Sequence, residues 1–390
     1  MTIKIIRYLI YAIYAVLPFS IQVPGILPDK NIVLIDVIML FLIICGVCGK
    51  LSFRMNDYLS ALLMMVFCVM VLISGSFNPN PIGYIEVALQ YLMTYVIFYL
   101  VLSNYKYMFD ITLVRVYLYA SVVSVVIIAI YYHLDVKILP SVLVYNETGG
   151  IFYRVGFTAV NDYAYILTGS IVSYILASKT FRLRDFVFIG VIIYGILLTG
   201  SRAAVLFLVL ASMIIFLTSQ KRGFVSKAVV FGLTLAALIF ALQVLVLENR
   251  IFQVFEIGSR LFFLDVLSSD DVRMFGGAAA NYMVGEYPIH INVLQIALSS
   301  GLLSLCIYLA WYSSFLVNSY LRRDFTLMML LCLIFLFYQQ VGHIYERNLF
   351  LVFAVLFFLD VKSKGFPKES MFQNRGVRAI TTPRLSKYKS

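Results

Sequence analysis

The chain has 390 residues, of which 62% are hydrophobic and only 13% are charged, and its formal net charge is +11. A soluble protein has about half apolar and about a quarter charged residues, because its surface must be polar to face water. The composition therefore excludes a large soluble enzyme and predicts a membrane protein whose surface is covered mainly by lipid.

Apolar runs of about the 20 residues that a helical span requires recur along almost the whole chain. Each is predicted to be helical, because a single span in lipid must satisfy its own backbone groups. In chain order, twelve spans are predicted near residues 5–24, 31–49, 57–75, 84–103, 112–132, 161–178, 185–199, 201–219, 226–247, 289–317, 325–341 and 346–361. The tenth run is long enough to be a tilted span or to begin as an interfacial helix.

Lysine and arginine residues are concentrated in alternate short loops, which is the pattern that sets membrane orientation. The basic residues of this set of loops and of the N-terminus are Lys4, Arg7, Lys50, Arg54, Lys106, Lys179, Arg182, Arg184, Lys221, Arg222, Lys227, Arg322 and Arg323. Their side, which includes both termini, is predicted to be cytoplasmic. We expect one transmembrane domain over residues 1–361 and a basic, disordered cytoplasmic tail over 362–390. The positive charge thus reflects topology and this tail, and nucleic-acid binding is not expected.

Two long loops are predicted on the opposite, non-cytoplasmic face, one at about 133–160 and a larger one at about 248–288 between the ninth and tenth spans. In a chain with no other water-exposed region, long loops are the expected place for binding and catalysis. His133, at the end of the fifth run, is expected to be interfacial.

Arg202 lies between two apolar runs in a turn of the non-cytoplasmic face, with the sequence LTGSRA over residues 198–203. An arginine so close to hydrocarbon is costly and usually faces a cavity or a partner. Its guanidinium group can bind two phosphate oxygens at once. The alternative is that its side chain extends to the lipid headgroups.

His290 precedes the tenth apolar run, where a helix macrodipole would disfavour the charged imidazolium form. A neutral imidazole can act as a general base toward a sugar hydroxyl. His343 is the alternative base on the same face, and either histidine could instead fill an interfacial position. The acidic pair Asp270 and Asp271 lies in no repeated carboxylate pattern, so we expect no metal site.

Three short segments resemble the O-antigen polymerase and ligase superfamily, of the Wzy and WaaL types. Residues 198–204 (LTGSRAA) are similar to the family's T-x-S/T-R turn, and residues 258–261 (GSRL) to its loop arginine. Residues 290–301 (HINVLQIALSSG) are similar to its H-N-x-x-L-x-x-x-x-E-x-G pattern, from which Ile291 and Ser299 depart. A weaker match is the set Arg154, Gly156 and Asn161, which is similar to an arginine, a glycine and a following asparagine in the family.

The resemblance implies an all-α, GT-C-like glycosyltransferase of the bacterial inner membrane with its active site facing the periplasm. Its donor would be an oligosaccharide linked to undecaprenyl diphosphate, which it would transfer to the next lipid-linked repeat unit of an O-antigen or capsular polysaccharide. Neither a metal nor a cofactor is implied. The residues assigned are His290, Arg202 and Arg260 as catalytic and Arg154, Arg273 and Asn161 as substrate-binding.

Two alternative functions stay open. An O-antigen ligase uses the same donor and transfers the glycan to lipid A core, and no residue here separates it from a polymerase. A flippase for lipid-linked oligosaccharides is a transporter, which predicts buried charges within spans and two similar halves. The centres of the predicted spans carry almost no charge, which favours the glycosyltransferase. The partners implied are the lipid-linked glycan, membrane lipid, and flippase and chain-length regulator proteins.

Overall fold

The computed structural model describes residues 2–19, 34–48, 55–77, 81–92, 108–136, 138, 141–145, 151–155, 160–178, 181–218, 232, 273–276, 283–284, 287–288 and 292–338. Within these residues the chain forms eleven helices and two short β-hairpins. The first eight helices are α1 (Thr2–Val16), α2 (Leu34–Cys48), α3 (Met55–Ser76), α4 (Pro81–Tyr91), α5 (Ile111–Leu134), α6 (Val160–Ala177), α7 (Leu183–Leu198) and α8 (Arg202–Leu217). The last three are α9 (Asn292–Ser300), α10 (Leu302–Leu321) and α11 (Phe325–Tyr338). The antiparallel hairpins pair β1 (Ser141–Tyr145) with β2 (Ile151–Val155) and β3 (Met283–Val284) with β4 (Tyr287–Pro288).

Three of these helices are long and apolar enough to cross a membrane: Leu59–Ser76 in α3, and all of α5 and α10. Shorter apolar helices lie at Val37–Cys48, Ala203–Leu217 and Phe325–Phe337. Many large apolar side chains on these helices remain exposed, which lipid can cover but water cannot without cost. The fold is therefore that of a helical multi-pass membrane protein.

The predicted α-helical class is confirmed, and a helix lies at each of the first eight predicted spans and at the tenth and eleventh. The predicted ninth span (apart from Gly232), the twelfth span and the tail at 362–390 lie outside the described residues. The loop predicted at 133–160 contains the β1–β2 hairpin, which the sequence pattern did not predict.

Helix α6 lies at the centre of the described bundle, against α5, α7, α8 and strand β2. Every residue from 163 to 174 is buried. Two of its buried hydroxyls bond within the helix, since Thr168 donates to the carbonyl of Tyr165 at 2.9 Å and Ser170 to that of Leu167 at 2.8 Å. A helix surrounded by protein on all sides can thus carry polar residues without exposing them to lipid.

Helices α1 and α5 begin at the same end of the bundle. Asp110 is the N-cap of α5 and accepts a hydrogen bond from the backbone of Leu113 at 2.9 Å. The same carboxylate pairs with Arg7 at 2.8 Å and accepts a hydrogen bond from the Tyr11 hydroxyl at 2.8 Å. The two helices run in parallel, which is the relative direction that the predicted topology requires.

The opposite end of the bundle is where α3, α5 and α7 end and where α6, α8 and α10 begin. We call it the outer end, because it is predicted to face away from the cytoplasm. Interhelical contacts join its parts: the Tyr165 hydroxyl of α6 donates to the carbonyl of Phe337 in α11 at 3.3 Å, and the ring of Phe207 in α8 lies 6.0 Å from that of Phe337. Ile296 of α9 belongs to the same contiguous core.

Candidate functional site

Gly301 divides the predicted tenth span into α9 and α10. Its φ angle is +90°, in a region of backbone conformation that is almost exclusive to glycine. A Cβ atom at this position would lie 2.8 Å from the carbonyl oxygen of Met274 and 3.0 Å from that of Arg273. Both the backbone conformation and the contact with another segment therefore require glycine here.

The large predicted loop is attached to the bundle at this same break. The backbone N–H of Leu302 donates to the carbonyl of Arg273 at 2.9 Å, and that of Leu303 to the carbonyl of Met274 at 3.2 Å. The first N–H groups of a helix have no partner within it, so they need acceptors from elsewhere. Residues 273–276 supply them and thus cap α10. The side chain of Arg273 itself is exposed.

Serine hydroxyl groups form hydrogen bonds on the other side of the break at Gly301, where α9 ends. The carbonyl oxygen of Ser300, the last residue of α9, accepts hydrogen bonds from Ser74 at 2.9 Å and from Ser304 at 2.7 Å. The Ser74 hydroxyl also lies 2.8 Å from the carbonyl of Met70. All three serines are buried. Because Ser74 lies near the end of α3, one carbonyl holds α3, α9 and α10 together at the outer end.

Helix α9 is buried from Leu294 to its end at Ser300. Gln295 and Ser299 are among its buried polar residues. The tenth run was predicted to be a tilted span or to begin as an interfacial helix, and it begins with the separate helix α9. This helix packs against α3 and α10.

Arg202 is the first residue of α8, directly after the turn that follows α7. Gly200 reverses the chain with a φ angle of +65°. The Thr199 hydroxyl donates to the carbonyl of Ile196 at 2.6 Å and accepts from the backbone N–H of Ser201 at 3.3 Å. This compact turn places Arg202 at a helix N-terminus, and the predicted turn between two apolar runs is confirmed. The side chain of Arg202 lies outside the described residues.

Arg154 and Asn161 come to the N-terminal end of α6. Arg154 pairs with Val142 in the β1–β2 hairpin, and its side chain is half-buried. Neighbouring strand residues point to opposite faces, so Arg154 points away from the face that carries Tyr153 and the buried Val155. Asn161 lies in the first turn of α6, and only its backbone is described.

Within the described part of the chain, Arg154, Asn161 and Arg202 thus lie at the outer end on elements that pack against each other. Strand β2 contacts α6, and α6 contacts α8. Arg273 lies at the same end of the bundle, beside α10. Three other predicted site residues, Arg260, His290 and His343, lie outside the described residues. No group of three potential metal ligands occurs among the residues that were placed.

An aromatic cluster at the end of α5 was not predicted. The Tyr132 ring lies 5.2 Å from that of Tyr153 and 4.8 Å from that of His133, between ring centres. His133 in turn lies 3.0 Å from Tyr194, from Nε2 to the hydroxyl oxygen. Tyrosines at span ends are common because they suit the membrane interface, so sequence alone does not distinguish these. Only the hairpin and α7 bring the four rings together.

Comparison with protein-family models, with curated proteins and with solved structures finds no match for this chain. The assignment of a function therefore depends on the candidate residues, on the position of Arg154, Asn161, Arg202 and Arg273 at the outer end, and on the motif resemblance.

Proposed function

We propose that the chain is a polysaccharide polymerase of the bacterial inner membrane. It transfers a glycan from undecaprenyl diphosphate to the next lipid-linked repeat unit at the periplasmic face. In this proposal the chain has twelve spans, both termini are cytoplasmic, and the outer end faces the periplasm.

The observation that supports the proposal most is the capping of α10 by residues 273–276. Residues 273–276 belong to the predicted loop that also contains Arg260, and helices α9 and α10 follow His290 in the sequence. The capping therefore connects these two regions of the chain. Because α9 has nine residues, it is only about 13 Å long. In the sequence, His290 precedes the first residue of this short helix by two positions.

The position of Gly301 also supports the resemblance. This residue matches the glycine that ends the family's histidine motif, and its φ angle and close carbonyl contacts give a physical reason for it. Ser299 replaces the family's glutamate two residues earlier. Since Ser299 is buried, a carboxylate there would need a compensating partner, and the uncharged serine suits its surroundings.

In the proposed reaction, Arg202 and Arg260 bind the diphosphate of the donor. The bond between the anomeric carbon and the diphosphate oxygen breaks, and negative charge grows on the leaving group. Guanidinium groups stabilise that charge more in the transition state than in the ground state, which accelerates the step. The free N–H groups and dipole at the start of α8 add positive potential beside Arg202.

The second half of the proposed reaction is proton removal from the acceptor. His290, as a neutral imidazole, accepts the proton of an acceptor hydroxyl while that oxygen bonds to the anomeric carbon. Undecaprenyl diphosphate leaves with the electron pair of the broken bond. Two guanidinium groups neutralise the diphosphate, so no step in this scheme needs a metal.

The proposal is tested with the purified protein in lipid nanodiscs and the host's repeat unit on undecaprenyl diphosphate. We expect the wild type to form chains of several repeats, and Arg202→Ala to lower the rate at least about a hundredfold, as for loss of a transition-state contact. Arg184→Ala is the matched control, because Arg184 is an exposed arginine at the opposite end of α7.

Normal polymer formation by Arg202→Ala would reject the role assigned to Arg202. Two other results would reject the polymerase itself. One is transfer by the wild type to lipid A core but never to a second lipid-linked repeat, which would indicate a ligase. The other is movement of the lipid-linked repeat across the bilayer without a new glycosidic bond, which would indicate a flippase.

A further inference from the structure

Four side chains from three separate segments form one continuous aromatic surface at the outer end: Tyr132, His133, Tyr153 and Tyr194. We call it the aromatic platform. The Tyr132 ring is nearly perpendicular to those of Tyr153 and His133, at 87° and 80°. The rings of His133 and Tyr194 are parallel to within 7° and are joined at their polar ends by the 3.0 Å contact. Helices α5 and α7 and strand β2 therefore hold these rings in fixed relative positions.

The aromatic platform is open to its surroundings. Tyr132 is 49% exposed, His133 is also exposed, and the other two rings are half-buried. Exposed apolar side chains of α5 and α7 lie between the platform and the other end of the bundle, namely Val123, Val126, Phe186 and Val187. A lipid-linked molecule in the outer leaflet can thus approach the platform sideways along these two helices.

The aromatic platform also lies close to the turn that begins α8. Tyr194 precedes Leu198, the last residue of α7, by four residues, which is a rise of about 6 Å. The turn and Arg202 follow at once. In a diphosphate-linked glycan the first sugar is bonded directly to the diphosphate. A diphosphate bound at Arg202 therefore brings the first sugars within reach of the platform.

The chemistry of the aromatic platform matches a sugar better than an acyl chain. Tyrosine rings combine an apolar face with a polar end, and the imidazole of His133 does likewise. A pyranose ring has a complementary surface, with C–H groups on its faces and hydroxyls around its rim. An acyl chain would match only the ring faces. None of the four residues carries a fixed charge, so a highly charged peptide has no counterpart here.

We propose that the aromatic platform binds the sugar residues nearest the diphosphate of the lipid-linked glycan. This inference rests on the proposed function and deepens it by naming a sugar subsite. Each aromatic contact with a sugar contributes binding free energy that the diphosphate alone does not supply. The platform thereby distinguishes a loaded lipid from the sugar-free undecaprenyl diphosphate that the reaction releases, and it favours product release.

The test compares the binding of two lipids to the full-length protein in nanodiscs. The probes are undecaprenyl diphosphate with the host's repeat unit and sugar-free undecaprenyl diphosphate. We expect Tyr132→Ala and, independently, His133→Ala to weaken binding of the sugar-bearing lipid about five- to tenfold and to leave the sugar-free lipid unchanged. Tyr119→Ala should change neither, although Tyr119 is also an exposed tyrosine of α5 and lies 5.4 Å from Phe188 of α7, between ring centres.

Two outcomes would overturn the sugar subsite. Equal weakening of both lipids by Tyr132→Ala and His133→Ala would show that these rings only anchor the protein at the membrane interface. Unchanged binding of the sugar-bearing lipid in both variants would show that the rings touch no sugar. Failure of the polymerase itself would look different, because the wild type would bind the sugar-bearing lipid without forming polymer. The change in affinity for the sugar-bearing lipid relative to the sugar-free lipid, measured in each variant, would still decide whether the subsite exists.

Discussion

At the scale of single residues, Gly301 is a position where both the backbone conformation and the neighbouring carbonyl groups disfavour a side chain. Gly301→Ala forces a side chain into the φ +90° conformation and against the carbonyls of Met274 and Arg273. We expect a loss of about 2–4 kcal/mol in stability from the strained backbone and the contact together. Thermal unfolding of the detergent-solubilised protein measures it. Gly190→Ala is the matched control, since a Cβ atom there meets nothing within 4 Å and alanine favours the helix. Equal melting temperatures for the two variants would contradict the described break.

Some residues of the candidate site were predictable and others were not, for physical reasons. Arg202 could be placed because the cost of an arginine beside hydrocarbon makes it conspicuous, and its turn is local in sequence. Tyr132 and Tyr153 could not be recognised as partners, because a tyrosine at a span end has an ordinary interfacial explanation. Their contact depends on a hairpin that brings residues 21 positions apart together. The capping of Leu302 by Arg273 is equally non-local.

At the scale of elements, the end of α3 and the loop at 273–276 are close enough for a designed cross-link. A Cβ atom at Gly276, where the φ angle of +73° makes a cysteine strained, would lie 3.7 Å from Cβ of Phe77, and disulfide-bonded cysteines have Cβ atoms about 3.8 Å apart. We expect Phe77→Cys with Gly276→Cys to form a disulfide on mild oxidation, in a background whose five native cysteines are alanine. Protection of both thiols from a maleimide reagent measures it, with each single variant as the labelled control. A pair that stays fully labelled would show that the loop does not lie against α3.

The hydrophobic pattern predicted most helices because membrane spans are specified locally by length and apolar content. Helix α5 differs from its predicted span of 112–132 by at most two residues at either end. The division of the tenth run could not be read from the apolar pattern, since that pattern continues through Gly301. It follows instead from a second segment that occupies the space a side chain would need. The β1–β2 hairpin was missed although the sequence carries a signal for it: the runs SVLVY and IFYRV are rich in residues that favour strands, and the five residues between them include an asparagine and two glycines.

At the scale of the whole molecule, the described contacts gather the conspicuous features at one end. The turn before Arg202, the hairpin with Arg154, the aromatic platform and the capped break at Gly301 all lie at the outer end. The opposite end holds the Arg7–Asp110 ion pair, where basic residues are predicted to face the cytoplasm. This asymmetry suits an enzyme that draws a lipid-linked substrate from one leaflet better than a transporter with two equivalent halves.

The most direct test of the central claim is the surface glycan of a strain in which the chromosomal copy is deleted, separated on a gel by chain length. A polymerase predicts that lipid A core carries a single repeat unit in this strain. The wild-type chain then restores the ladder of longer glycans, and Arg202→Ala at equal protein level does not. A deletion strain with an unchanged ladder, or with no glycan attached to lipid A core at all, would contradict the polymerase.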